Sequence, residues 1–278
     1  MCGFWIAKIM SSEYGGDIIP RSARTRLVKV GTAMAAVALL LSLACGVGGR
    51  SDVLLVFAAT SLTDAMREIE EDFESDGRAD VLLSFGGSQS LARQIASGAP
   101  ADLYISAGTG PVEFLEAEGV PLSYAVDLLT NRLVVVSRKG ATRPESLADL
   151  ARSEFGRIAL ADPDLAPAGM YAREALVDQG LWDAVEPKLI YGSDVRVTLT
   201  YVETGNVDAA LVYATDARST DLAISEVVPT GAYSRIVYPA VIVDRSSNKP
   251  LARRFLDFLQ SKEAGEVFTK HGFVTAAR

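Results

Sequence analysis

Two stretches of this chain repeat one local design: an apolar run, an abrupt turn, a serine, then helical periodicity. In the first, Val53 to Phe57 is continuously apolar and of strand length, and from Leu62 the spacing of Leu62, Ala65, Met66, Ile69 and Phe73 becomes that of one helix face. In the second, Val81 to Phe85 breaks at Gly86 and Gly87, and Ser88-Gln89-Ser90 opens a helix with Leu91, Ala92 and Ile95 inward. Apolar strands alternating with helices predict a largely parallel, doubly wound sheet covered on both faces, since such strands have no side to give to water. Ligands of these sheets collect beyond the carboxyl ends of the strands, where Ser61 and Ser88 fall. A serine at or near a helix N-cap normally satisfies a free N–H beside the positive end of the helix dipole, and an oxyanion can take that place. Alone, Ser61 reads as an ordinary cap and Gly86-Gly87 as an ordinary tight turn. Their repetition favours a shared anion site.

The rest of the chain continues the alternation. Gly98-Ala99-Pro100-Ala101-Asp102 ends the second helix, Leu103 to Ser106 is a third strand, and a helix carrying Val112, Phe114 and Leu115 closes near Gly119 and Pro121. The pattern begins afresh near Asn131, with strands expected at Leu133 to Val136 and Ile158 to Ala161 and a short helix at Leu147 to Leu150 between them. Asp162-Pro163 to Pro167-Ala168-Gly169 leads into a helix reaching about Gln179, where prolines fix the entry and leave backbone N–H groups free for a ligand. Leu189 to Tyr191 is strand-like. Ser193 or Asp194 caps a helix from Val195 to about Glu203, and Val207 to Tyr213 ends with a phenolic hydroxyl at the strand's carboxyl edge. Ile236 to Val243 is the return crossing, followed by amphipathic helices at 250–259 and 262–271. Two lobes follow, residues 51–131 plus 239–278 and residues 132–238.

Charge decides which partners fit. The chain has 27 Lys+Arg and 35 Asp+Glu, and setting aside five basic and two acidic residues before Cys45 leaves 22 against 33, a charge of −11. A body this acidic repels polyanions, so nucleic acid is not an expected partner, and a bound anion must be held by local dipoles. Arg21, Arg24, Arg26 and Lys29 precede an apolar stretch from Val30 to Ala44, short for a bilayer span and ending in small residues, which reads as a secretory signal. Residues 1–50 are therefore read as signal and tether. Cys2 precedes the signal and Cys45 follows it, so the folded body has no disulfide. Cys45 resembles the acylated cysteine of bacterial lipoproteins, although Ser42 stands where that motif usually has Leu. Cleavage after Ala44 by an ordinary signal peptidase also fits. The chain is expected outside the cytoplasm, periplasmic or at the cell surface, as a monomer whose only hold on a membrane would be a lipid on Cys45.

Helix-opening or strand-ending turns, two per lobe, offer neutral hydrogen-bond donors, which suit a small, fully ionised oxyanion. Here the chain resembles the periplasmic molybdate-binding proteins, the solute-capturing components of ATP-driven molybdate importers. The resemblance is carried by 57–65 (FAATSLTDA), by 85–95 (FGGSQSLARQI) with 98–103, by Asp162-Pro163 to Gly169 with Tyr171, by Asp194-Val195-Arg196, and by Val212-Tyr213 with Asp216-Ala217. It implies an α/β, two-lobed type II periplasmic-binding-protein fold, each lobe a doubly wound mixed sheet flanked by helices, with the ligand in the cleft between them. It further implies that Ser61 and Ser88 donate hydroxyl and N–H, Ala168 and Val195 a backbone N–H each, and Tyr213 its hydroxyl. These five are metal ligands only in the sense that molybdate or tungstate would be held through its oxygens. No cofactor is implied, and the partners are the permease and ATPase subunits of an ABC importer. Asp64, in the first helical turn, is expected to face away from a dianion.

A receptor for sulfate or another tetrahedral oxyanion shares this donor chemistry. An iron receptor would want carboxylates, paired tyrosines or histidines, and the single histidine, His271, lies late in a terminal helix. A hydrolase using Ser61 or Ser88 would need a base near its nucleophile, and no histidine is near either in sequence. The signal segment and the lack of a basic DNA-reading helix disfavour a regulator's sensor module.

Overall fold

In the computed structural model the alternating pattern becomes two mixed sheets with helices against them. The structure describes residues 53–75, 77 and 79–276; the signal segment, Cys2 and Cys45 lie outside these residues. The chain opens with β1 (Val53–Ala59), α1 (Thr63–Ser75), β2 (Asp80–Gly86), α2 (Ser88–Ala96), β3 (Leu103–Ile105), α3 (Gly110–Ala117) and β4 (Leu122–Thr130). It continues with β5 (Leu133–Ser137), β6 (Ile158–Ala161), α4 (Pro167–Asp178), α5 (Trp182–Val185), β7 (Leu189–Gly192), α6 (Val195–Glu203), β8 (Ala209–Tyr213), α7 (Ala214–Arg218) and β9 (Ala223–Ser225). It closes with β10 (Val237–Val243), α8 (Lys249–Leu259), α9 (Lys262–Lys270) and β11 (Val274–Thr275).

The first sheet has the order β11-β4-β10-β3-β1-β2 and the second β7-β6-β8-β5-β9. In the first, β1 runs parallel to β2 and β3, while β10 is antiparallel to β3 and β4. In the second, β6 is parallel to β7 and β8, and β5 is antiparallel to β8 and β9. The chain passes from one sheet to the other between Thr130 and Leu133 and returns between Ser225 and Val237. Strand β1 is buried on both faces: Leu54, Val56 and Ala58 pack with Met66, Ile69 and Phe73 of α1, and Phe57 packs with Leu91, Ile95 and Tyr104 on the other side. That double burial explains a run with no alternation.

The longest departure from the sequence pattern lies between α3 and β5. Residues 122–130 carry no expected element, yet they form the nine-residue strand β4, paired with β10. The pairing slips at Tyr238/Pro239 and Ala240/Ile242, and Tyr124 takes a positive φ of 52°. Register slips of this kind scramble the inward and outward alternation by which a strand is recognised.

Candidate oxyanion-binding site

The site is built from the ends of strands. A short 3-10 turn, Thr60–Leu62, joins β1 to α1, and Ala59 stands in the cap position with no side-chain cap bond. Ser61 therefore lies inside the opening turn rather than at the N-cap itself. Gly87 caps α2 and Ala166 caps α4, again with no side-chain cap bond, so Ser88 is the first residue of its helix and Ala168 the second, after Pro167. Asp194, not Ser193, caps α6, its Oδ1 accepting from the amides of Arg196 at 2.8 Å and Val197 at 3.1 Å. Val195, first in that helix, keeps its amide outside this cap. Three of the four helix starts thus leave first-turn N–H groups unclaimed by any capping side chain, at the positive end of each dipole.

These starts converge. Ser61, Ser88, Ala168, Val195 and Tyr213 all line one small cavity of about 10 Å³, together with Thr60, Ala107 and the turns around them. Segments of both sheets form its walls and touch across it, the Ser90 amide donating to the Leu165 carbonyl at 3.3 Å and the Tyr213 hydroxyl to the Ala107 carbonyl at 3.2 Å. Gly87 permits this approach. A Cβ there would stand 2.7 Å from the Leu165 carbonyl oxygen and 2.9 Å from that of Ser193.

Hydrogen bonds behind the wall set what it offers. Ser88 Oγ accepts from the Ala107 amide at 3.0 Å, so its own proton is available to the cavity. Burial raises the Tyr213 phenol well above its ordinary pKa, so it keeps its one proton, which here goes to the Ala107 carbonyl and would have to turn to reach a ligand oxygen. Ser61 Oγ lies 3.1 Å from the Tyr238 hydroxyl. Among the described residues no Lys, Arg or His lines the cavity, and the carboxylate of Asp194 is turned to its own helix amides. Asp64 does not line it either, its carboxylate meeting Arg196 at 2.5 Å. Arg196 also bonds Asp216 at 2.9 Å; burial pushes that carboxyl up to about 7, against the pull of the guanidinium. His271 hydrogen-bonds Glu68, away from this cavity.

Sequence reasoning missed Thr60, Ala107 and the role of Tyr238. Thr60 is adjacent to Ser61 and was open to discovery as a second hydroxyl in the turn. Ala107 contributes only backbone, and Tyr238 reaches the site from 177 residues away, so no local signal marks either.

A family model described as bacterial extracellular solute-binding protein matches residues 54–274. YvgL of Bacillus subtilis (strain 168), provisionally named an ABC transporter substrate-binding lipoprotein, is 41% identical over 79% of this chain and 85% of its own. The molybdate-binding protein ModA of Escherichia coli (strain K12) is 36% identical over 79% of this chain and 88% of its own. Among solved structures, the periplasmic molybdate-binding protein of Azotobacter vinelandii superposes with a TM-score of 0.72 at 24% identity, over 81% of this chain and all of that one.

Proposed function

The chain belongs to the bacterial extracellular solute-binding proteins, and on that premise we propose that it captures molybdate outside the cytoplasm and delivers it to an ABC importer. Its fold is the two-lobed type II periplasmic-binding-protein fold. The lobes of this reading are residues 51–131 plus 239–278 and residues 132–238, except that Val237 and Tyr238 pair with β4 and so go with the first lobe, and the hinge lies where the chain crosses between sheets. The observation that carries the reading is a cavity walled by neutral donors from both sheets, with no cationic side chain among the described residues that line it. Such a wall replaces the water shell of a dianion by hydroxyls and helix-start amides, and it offers little to an ion that must itself donate.

Ser61, Ser88, Ala168, Val195 and Tyr213 are the residues we assign to the ligand oxygens, and tungstate is expected to bind as molybdate does. The serines act as donors and not as nucleophiles: the partners of their hydroxyls are a phenol and a backbone amide, neither of which is a general base. Molybdate is cargo, and no cofactor enters this reading. The protein works as a monomer, meets the permease and ATPase subunits of the importer, and is anchored through acylated Cys45 in the manner suggested by the lipoprotein name of YvgL.

A thermal-shift panel tests the ligand. At about a hundredfold excess over the dissociation constant a bound ion stabilises by about 2.7 kcal/mol, which for a protein of this size raises the melting temperature by roughly 5 to 10 °C. Molybdate and tungstate should do so, and sulfate, phosphate and ferric ion should not. A shift with sulfate or ferric ion alone would reject the reading.

A further inference from the structure

The two crossings between the sheets meet at one ligand-facing hydroxyl. Asn131 lies in the first crossing and Tyr238 at the start of the strand that returns. The Asn131 side-chain amide is fixed in orientation, because its Oδ1 accepts from the Arg132 amide at 2.9 Å. Its Nδ2 therefore points the other way, donating to Tyr238 Oη at 3.0 Å and to Thr215 Oγ1 at 2.9 Å. An amide nitrogen can only donate. Tyr238 Oη thus receives a proton from Asn131, and its own proton is left to the remaining neighbour, Ser61 Oγ, 3.1 Å away. Ser61 Oγ accepts from behind on one lone pair, and its own proton is left to turn toward the cavity. The ring of Tyr238 is fully buried, packed edge-on to Phe273 and tilted against Tyr213, so the relay has no freedom to reverse by turning away.

We infer that Asn131 and Tyr238 are positioning residues which turn the Ser61 proton toward the cavity, and so favour at that position an oxyanion oxygen that only accepts over a protonated oxygen of hydrogen phosphate. The inference rests on the assignment of Ser61 to the ligand and adds what orients it. A protonated oxygen of hydrogen phosphate at Ser61 would meet a hydroxyl whose proton already points inward, and would have to turn that proton against the relay or take its acceptor elsewhere.

The test is competition calorimetry with molybdate and phosphate on the full chain and on Tyr238→Phe, Asn131→Asp and Ser61→Ala. Tyr238→Phe keeps the ring and removes the relay, and molybdate affinity should fall about tenfold while the preference over phosphate narrows. Asn131→Asp replaces the obligatory donor by an acceptor, draws the Tyr238 proton toward itself, and should cost molybdate more than Tyr238→Phe does. In the Ser61→Ala background, Tyr238→Phe should have no further effect, because its action passes through that one hydroxyl; a merely structural tyrosine would weaken binding again. Ligand-free melting temperatures identify any variant that fails to fold, and the Ser61→Ala pair still decides if Asn131→Asp is lost in that way. Wild-type affinity and selectivity in Tyr238→Phe, or additive losses in the double variant, overturn the relay while leaving the molybdate site standing. A wild-type chain that ignores molybdate overturns both.

Discussion

Thr60 Oγ1 is buried without a hydrogen-bond partner among the described residues, and Thr60 lines the same cavity as Ser61. An unsatisfied buried hydroxyl costs about 1 to 3 kcal/mol, and a ligand oxygen within its reach would remove that cost. Thr60→Val keeps the shape and deletes the hydroxyl. It should leave the ligand-free protein as stable or more so, and weaken molybdate about fivefold by calorimetry. Unchanged affinity would assign that hydroxyl to the fold alone. At this scale much of the site was legible, because Ser61, Ser88, Ala168, Val195 and Tyr213 each sit beside a local signal: a strand end, a turn or a helix start. What orients them was not. The partners of Ser61, Ser88 and Tyr213 are 177, 19 and 106 residues distant, and only the folded chain brings them near.

Among the elements, the approach of α2 to the turns before α4 and α6 controls how tightly the cavity shuts. Gly87 is the contact point, and backbone oxygens, which cannot step aside as a flexible side chain would, stand 2.7 and 2.9 Å from where its Cβ would be. Gly87→Ala should therefore wedge the α2 start away from the segments bearing the Ala168 and Val195 amides. We expect molybdate affinity to fall at least about tenfold, since charge-assisted bonds of about 1.5 to 3 kcal/mol each are stretched together. The ligand-free melting temperature should hold, because the Gly87 φ of −59° suits alanine. Equal affinity in glycine and alanine proteins would show that the walls do not need to meet. On the far side of the cavity Arg196 ties α6 to Asp64 of α1 and to Asp216 of α7, which turns two carboxylates near the site away from a bound dianion. Most helices and the parallel strands were readable from apolar period and glycine stops. Strand β4 was not, because its register slips erase the alternation, and neither was β9, whose three residues are too short to show one.

For the whole molecule, the question is how a chain this acidic collects a dianion. Residues 45–278 carry −11, and among the described residues no cation lines the cavity to offset that, so the long-range field opposes each encounter while the helix starts hold the ion once it arrives. The two effects differ in range. Repulsion acts over a Debye length, about 30 Å at 0.01 M salt and about 8 Å at 0.15 M, whereas hydrogen bonds inside a closed cavity are screened little. Raising salt across that interval should therefore increase the association rate of molybdate in stopped-flow measurements and leave the dissociation rate nearly unchanged, so that affinity rises with ionic strength. The opposite sign, a rate that falls with salt, would mean that a local cationic surface steers the ion in despite the net charge. Arg218 and Lys270, which flank a neighbouring pocket behind Ser61, would then be the groups to neutralise. Net charge was readable from composition at once, but its bearing on capture follows only from the arrangement of the fold, in which acidic groups such as Asp64 are turned outward and uncharged donors inward.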